Sequence, residues 1–578
     1  MAKRIIELSK TVNETVEDDY IMIDSVSEGV RKILLKDIIP EGVDMNLFKE
    51  IEMTMPEPGT MEENTANLQK CLDVAKDIGI NIRVKFRPGI YELSTCIIYS
   101  NTHIILSDNT ELKHVLSSYN NPTTGQEKIV PILFLNAKPF DTNDSKIIEY
   151  QGRSNIHFEG GIIDSYSPFL FCHGTNILVE NVYMKNADYE HFVQLAACKN
   201  VTLKNCIFEG MKSPSSGKNY VEYVHITYMN ESYFPYWTST SKIFDTTIND
   251  TIIIDNCIFR PGTGNYQYFK AGVGTHDSNN GKNQNITIRN CTFEGYEFAA
   301  LNLRNMYNVN VENNIYKTGR STESIFIINC DTVNIHEVND INGGGRGINC
   351  VDSSKIKIDG VSVDNMNVNN NFLFFGDSQD LIIKDITIRN SHSNLYNIEC
   401  RNVTDFTAIG CRDINTDNNL GYFFHIYDMN GGHSSRITIK DTITDKIELY
   451  ATDDCEDIIS DREEEIWSAG SIYSGSFVLD KDPSKYKNKK VYLHFYGKTV
   501  VYWNFINNDM LIREVNIPDD TSTGNTSINF LEFCLTYDKD TNTMNIKNNN
   551  QLTIRDGVSN AVTSNAYIYK ITGERIRY

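Results

Sequence analysis

No stretch of about eighteen apolar residues occurs in this 578-residue chain, so the sequence predicts no membrane-spanning helix. Basic residues are scarce: 54 Lys and Arg against 76 Asp and Glu leave a formal net charge of -22. Phosphate backbones need clustered cations, so nucleic acid is not an expected partner. The 13 cysteines are odd in number and contain no Cys-x-x-Cys pair, which argues against a zinc or disulfide framework. Met1–Lys10 is basic but lacks an apolar core, so no secretory signal is read, and the expectation is folding in a reducing cytosol. No cofactor signature and no metal-ligand spacing stands out. The apolar share of 40% supports a continuous core, and the charged share of 22% argues against disorder.

What the chain has instead is a repeat. Asn200-Val-Thr-Leu-Lys-Asn-Cys-Ile-Phe208 returns as Asp250-Thr-Ile-Ile-Ile-Asp-Asn-Cys-Ile-Phe259, as Asn285-Ile-Thr-Ile-Arg-Asn-Cys-Thr-Phe293 and as Asn308-Val-Asn-Val-Glu-Asn-Asn-Ile-Tyr316. Each copy reads as a short alternating strand, an Asn at a corner and a second short strand. Cys206, Cys257, Cys291 and Asn314 fall at steps of 51, 34 and 23 residues by subtraction, the last close to one coil. Weaker copies from Asn155-Ile-His-Phe158 to Arg436-Ile-Thr-Ile439 extend the series to ten or more coils. The predicted fold class is all-β, a right-handed parallel β-helix solenoid with a small N-terminal attachment module and a C-terminal β-sandwich. Corner Asn side chains are expected to stack into amide ladders, with the aligned Cys filling the core.

The chain partitions accordingly. Residues 1–40 form a small leader that folds by association, and 41–60 a Pro- and Gly-containing linker. Residues 61–95 hold a capping helix, whose Leu68, Cys71, Leu72 and Ala75 share one face, and the first strands. The solenoid runs over 96–450, and 451–578 reads as a sandwich-like module for trimerisation or glycan binding. The long steps carry insertions, and long loops on a rigid scaffold are often functional. The larger one includes Tyr228-Met-Asn-Glu-Ser-Tyr-Phe-Pro-Tyr-Trp237, whose Tyr228, Tyr236 and Trp237 are expected to grip sugar rings, unless the loop is a buried flap.

The helix Thr65–Asp77 with Phe86-Arg-Pro-Gly-Ile-Tyr91 resembles the N-terminal cap of pectate-lyase-like β-helix proteins. Glu7-Leu-Ser and Asp19-Tyr-Ile-Met-Ile-Asp24 look like the virion-attachment leader of tailed-phage spikes, and Ile466-Trp-Ser-Ala-Gly with Tyr567-Ile-Tyr-Lys-Ile-Thr-Gly573 resembles C-terminal modules of phage tail proteins. The resemblance implies a homotrimeric tailspike, joined to tail or baseplate proteins by its N-terminus and acting outside the cell. Its partner would be a bacterial surface polysaccharide or teichoic acid, bound and often depolymerised. Polygalacturonases share the architecture, but their Asn-Thr-Asp and Gly-His-Gly signatures are absent, Gly274-Thr-His-Asp277 being a loose echo.

A site follows from register. Phe192-Val-Gln-Leu-Ala196 is aligned with Tyr223-Val-His-Ile-Thr227, Gly272-Val-Gly-Thr-His276 and Ala300-Leu-Asn-Leu-Arg304. Outward positions then form two columns, Gln194, His225, Gly274 and Asn302, and Ala196, Thr227, His276 and Arg304, on coils about 4.8 Å apart. Gly274 is expected to leave room for a ligand. The candidate catalytic residues are Glu222, His225, His276, Asp277 and Arg304; substrate binding falls to Glu190, Gln194, Asn302 and the loop aromatics. Hydrolysis needs two carboxyl groups about 5–9.5 Å apart, which Glu190 and Glu222 meet if both point outward; Glu231 is an alternative partner for Asp277. A lyase would use Arg304 or a His as base, and the His and Arg groups suit a phosphodiester polymer. Three readings remain open at this point: a glycan-depolymerising tailspike acting by hydrolysis, a non-enzymatic receptor-binding appendage, and a polysaccharide lyase.

Overall fold

The computed structural model describes residues 21–23, residues 50–460 and, beyond 462, the strands alone. Within 50–460 the residues outside the description are 79, 121–126, 189–190, 214–220, 232–233, 235, 238–239, 277–280, 320–322, 338, 344, 365, 369–370, 394, 415, 419–421, 445–446 and 452–454. The predicted helix begins earlier than its apolar face suggests, spanning Met61–Ile78 (α1). Its start is a reciprocal cap: Glu63 Oε2 accepts from the Thr60 amide at 2.9 Å, and Thr60 Oγ1 accepts from the Glu63 amide at 3.3 Å. Leu68, Cys71, Leu72 and Ala75 are buried, as their spacing requires. The polar side of α1 does equal work. Gln69 accepts from the Ile97 amide at 2.8 Å and donates to the Ile97 carbonyl at 3.0 Å, completing the first coil much as another strand would.

After α1 the chain winds a parallel β-helix, in the right-handed sense that parallel crossovers take. Its strands fall into parallel sheets of sixteen, thirteen and twelve, in which each strand pairs with its equivalents one coil away. The sixteen-stranded sheet begins with Ile21–Ile23 beside Glu50–Thr54, so a strand lies inside the segment expected to be a linker. The aligned repeats superpose as the sequence demands. Phe208, Phe259, Phe293 and Tyr316 stack inside with centroids 4.7, 4.7 and 5.4 Å apart. Cys206, Cys257 and Cys291 are buried and free. Each buried aromatic ring contributes about 2–3 kcal/mol by leaving water.

The corners explain the Asn of the repeat. Asn181, Asn205, Asn256, Asn290 and Asn313 all hold positive φ, between 51° and 59°, which Asn tolerates better than other side chains. Their amides stack: Asn205 donates to Asn181 at 3.0 Å, Asn256 to Asn205 at 2.9 Å and Asn313 to Asn290 at 2.9 Å. A second ladder joins Asn101, Asn155, Asn176 and Asn200 at 2.8, 3.1 and 3.2 Å. Buried Asn249 and Asn283 perform a related task where the insertions enter, donating to the backbone carbonyls of Leu195 and Ile226 at 3.1 and 3.2 Å.

The chain divides into two compact units, residues 1–437 with 443–456 and residues 438–442 with 457–578. In the second unit the strands form two antiparallel sheets, one of four strands and one of six. The sequence expects these to stack as a sandwich; side-chain contacts between them lie outside the described residues. Among the described residues no helix is long and apolar enough to cross a membrane.

Candidate functional site

The thirteen-stranded sheet carries the site, and its register is the one expected from alternation. Val193, Val224, Val273 and Leu301 pair in succession and are fully buried. Gln194, His225, Gly274 and Asn302 form the adjoining column, which continues through Phe326, Asn349, Phe374, Glu399 and His425. Thr227 stands beside Ala196, and Arg304 follows two positions after Asn302.

Four of the proposed residues meet around one carboxylate. Glu222 is fully buried; its Oε2 lies 2.9 Å from His276 Nδ1, and its Oε1 accepts from Asn302 Nδ2 at 2.7 Å. Asn302 in turn accepts from Arg304 Nε at 2.9 Å, which lays the guanidinium over the Phe326 ring at 5.0 Å. The His225 ring stacks on His276, centroids 4.4 Å apart. Burial alone would raise the Glu222 carboxyl, but the hydrogen bond and charge of His276, the charge of His191 and the Asn302 amide outweigh it and hold the group below its ordinary value. It therefore stands as a carboxylate in a dry setting, satisfied on both oxygens.

His191 belongs to the same cluster and was not among the residues named from sequence. Its Nδ1 donates to the Glu222 carbonyl at 2.6 Å, and its ring stacks on His225 at 4.3 Å. Extending the alignment one residue toward the N-terminus sets His191 opposite Glu222, so the signal was present. Burial, then the charge of His225, pushes the His191 imidazole well below its usual value. Burial, then the charge of His276, does the same to His225. The set of His191, Glu222, His225 and His276 brings one ligand atom from each residue to within 4.8 Å of the others.

Several expectations need correction. Tyr236 and Trp237 are only 4% and 6% exposed, so they are not an aromatic face for sugars. Their loop is a buried flap: the Tyr236 carbonyl accepts from the Phe140 amide at 3.0 Å, the Ile243 amide donates to Ser145 at 3.1 Å, and Tyr150 reaches the Ile248 carbonyl at 3.0 Å. Apolar loop residues buried themselves against a second loop, which sequence periodicity does not register. Tyr228 is half-buried. Gly274 does not open a space for ligand, because a Cβ there would lie 2.0 Å from the Asn302 carbonyl oxygen. Glu222 does not point outward to solvent, being fully buried and bonded to His276 and Asn302. Glu190 and Asp277 lie outside the described residues, as do their proposed pairings with Glu222 and Glu231.

The same face of the sheet extends past Arg304. Arg346 and Arg401 both lie over the Phe374 ring, at 4.9 and 5.3 Å, and Tyr427 donates to Glu399 at 2.8 Å. This face can offer cations and aromatic edges to a chain laid along it, while the histidines offer proton transfer.

No family model matches the chain. Plasmin and fibronectin-binding protein A of Streptococcus pneumoniae is 22% identical over 343 residues, which is 54% of this chain. The match covers 45% of that protein, so the chain spans less than half the length of the curated relative it matches. Among solved structures, the Streptococcus pneumoniae surface protein and adhesin PfbA has a TM-score of 0.44 at 16% identity, covering 69% of this chain and 96% of that one. A tailspike protein of Escherichia coli bacteriophage HK620, solved with a hexasaccharide, has a TM-score of 0.42 at 10% identity, covering 90% and 91%. The mannuronan C-5 epimerase AlgE6 A-module of Azotobacter vinelandii has a TM-score of 0.40 at 12% identity, covering 69% and 95%.

Proposed function

We propose that the protein binds and depolymerises a bacterial surface glycan, a capsule, wall polysaccharide or teichoic acid, along the outer face of its thirteen-stranded sheet. The observation that carries this reading is the Glu222–His276 pair beside Arg304, at one end of a face rich in arginine and aromatic rings. His276 is the proton-transfer group, since its side chain is 20% exposed and a buried carboxylate orients it. Glu222 is a positioning residue, because none of its surface reaches solvent. Arg304, fixed by Asn302, pairs with a phosphate or carboxylate of the polymer. In keeping with the sequence resemblance, the chain works as a phage tailspike or tail appendage, trimeric and attached by its N-terminal leader.

The test is chain length. Purified protein incubated with isolated capsule, wall polysaccharide and teichoic acid should shorten one of them, read by size-exclusion chromatography. His276→Ala should abolish shortening and retain adsorption, whereas Arg304→Ala should weaken adsorption. No shortening across the three polymer classes would overturn the enzymatic reading. Adsorption without shortening would favour the second reading, a non-enzymatic receptor-binding or adhesive appendage, for which the complete burial of Glu222 speaks. Sedimentation of the full chain tests the trimer, and a monomer would refute it.

A further inference from the structure

We propose that His191, His225, His276 and Glu222 form a binding site for a single first-row transition-metal dication of the zinc or nickel kind. Three imidazoles and a carboxylate converge at one place on the thirteen-stranded sheet. Their ligand atoms lie within 4.8 Å of one another, and three of the four residues are buried. Placing so many polar groups in a dry setting is costly unless they share a task or a partner.

The hydrogen bonding of His191 is that of a ligand. A backbone carbonyl only accepts, so the 2.6 Å contact to Glu222 O fixes the proton of His191 on Nδ1. Its Nε2 thus presents a lone pair, and it has no hydrogen-bond partner among the described residues. An imidazole N–H donating to a backbone carbonyl, which leaves the second nitrogen as the ligand, is the arrangement that surrounding groups impose on metal-bound histidines. The Glu222 carboxylate supplies the negative charge that offsets a dication in a dry site, and the bond from Asn302 to its Oε1 holds it in place.

The donor set decides the ion. Nitrogen-rich sites favour zinc, nickel, cobalt or copper, whereas calcium and magnesium need six or more oxygens or retained waters. Zinc bonds of about 2.0–2.2 Å bring tetrahedral ligands to about 3.5 Å apart, so the cluster closes by roughly 1 Å on loading. The near-parallel rings, 9° between His225 and His276 and 25° between His191 and His225, must swivel to aim their lone pairs at one point. His276, on the partly open side, has the most room to do so.

The test of the site involves no polymer, so its failure is distinguishable from failure of the glycan reading, in which the metal-free His276 imidazole transfers the proton. The full-length protein is loaded with zinc chloride, dialysed against metal-free buffer and analysed for bound metal by mass spectrometry, with melting followed in parallel. The expected result is one zinc per chain, a raised Tm, and no displacement by millimolar calcium. Cobalt(II) loading should give visible absorption bands of a nitrogen-ligated site. His276→Ala, a change on the open side, should cut retained zinc at least tenfold when assayed well below its melting point, with the apo-protein Tm lowered by the lost bond to Glu222, and His225→Ala should do the same if it folds. The double variant His103→Ala/His157→Ala removes the cluster on the sixteen-stranded sheet and should leave stoichiometry at one. Loss of zinc in that double variant, zinc retained by His276→Ala, displacement by calcium, or no zinc on the wild-type chain would each overturn the proposal.

Discussion

Replacing Gly274 with Ala tests whether the site depends on the contact between coils that the structure places there. Gly274 has φ of +153°, and a Cβ built on it would stand 2.0 Å from the Asn302 carbonyl oxygen, 2.6 Å from its carbon and 3.0 Å from its Cα. All three atoms are backbone, so no side-chain rotation relieves the overlap. A comfortable carbon–oxygen approach is about 3.4 Å, which requires a shift of about 1.4 Å against a coil spacing of about 4.8 Å. That same carbonyl accepts from the Thr275 amide at 3.0 Å, and the Asn302 side chain donates back to the Thr275 carbonyl at 3.0 Å. Overpacking of about 1–3 kcal/mol, backbone strain of about 1 kcal/mol and one weakened hydrogen bond of about 1 kcal/mol sum to about 3–5 kcal/mol. Gly264→Ala is the control, since its φ is +61° but nothing lies within 4 Å of the added carbon, and it should cost about 1 kcal/mol. Urea unfolding followed by far-UV circular dichroism reads both. If Gly274→Ala unfolds within 1 kcal/mol of the control, by the yardstick of the strain term alone, the close approach of these coils is wrong.

Other perturbations give separate readouts. Glu222→Gln replaces one of two acceptor oxygens with a donor facing either His276 or Asn302, and should destabilise by about 2–3 kcal/mol while reducing any polymer shortening; an unchanged denaturation midpoint would refute the bonding assigned to Glu222. His114, buried against Ser165 and Tyr166, has its imidazole pushed down from 6.5 to about 4 by burial. The unfolded chain therefore binds the extra proton first, so stability is intact above pH 6.5 and falls toward pH 4 by about 3 kcal/mol; His114→Leu should flatten that slope in urea titrations at successive pH values. Asn205→Ala should cost about 1–2 kcal/mol and Asn205→Gly less, because the corner φ of 53° suits glycine, whereas equal losses would credit the amide ladder alone. Trp237→Ala should lower stability by about 3–5 kcal/mol without a selective loss of glycan adsorption.

The sheet register was legible because burial of one strand face leaves a period of two that a one-residue slip would invert. Val193, Val224, Val273 and Leu301 fix it, and Gln194, His225, Gly274 and Asn302 follow without freedom. Glu222 is a different case. An odd separation of three from His225 puts the two on opposite faces of an ideal strand, yet both reach His276. The alternation breaks near the strand start, where Tyr223 turns inward against Phe192 and Phe269, and a regular pattern carries no sign of such a break. Tyr236 and Trp237 failed for another reason: whether a long loop lies open or folds upon its neighbour depends on the second loop, here residues 138–150, which has no repeat to align. The first turn of α1 was missed because Thr60 and Glu63 stabilise it through polar caps, outside the apolar stripe used to find the helix.

One-dimensional stacking has a consequence for how such a protein changes. His191 and Arg304 are 113 positions apart by subtraction, yet only three coil steps, about 14 Å, separate their strands. Material added at a corner lengthens the gene without moving the functional groups relative to each other, which is how nearly thirty residues can enter between Phe208 and Phe259 while those rings still touch. Removal of a whole turn has the opposite outcome: neighbours re-stack and the core heals, but histidine, carboxylate and guanidinium no longer meet. Variation in this architecture is thus cheap at the rims and forbidding along the vertical axis.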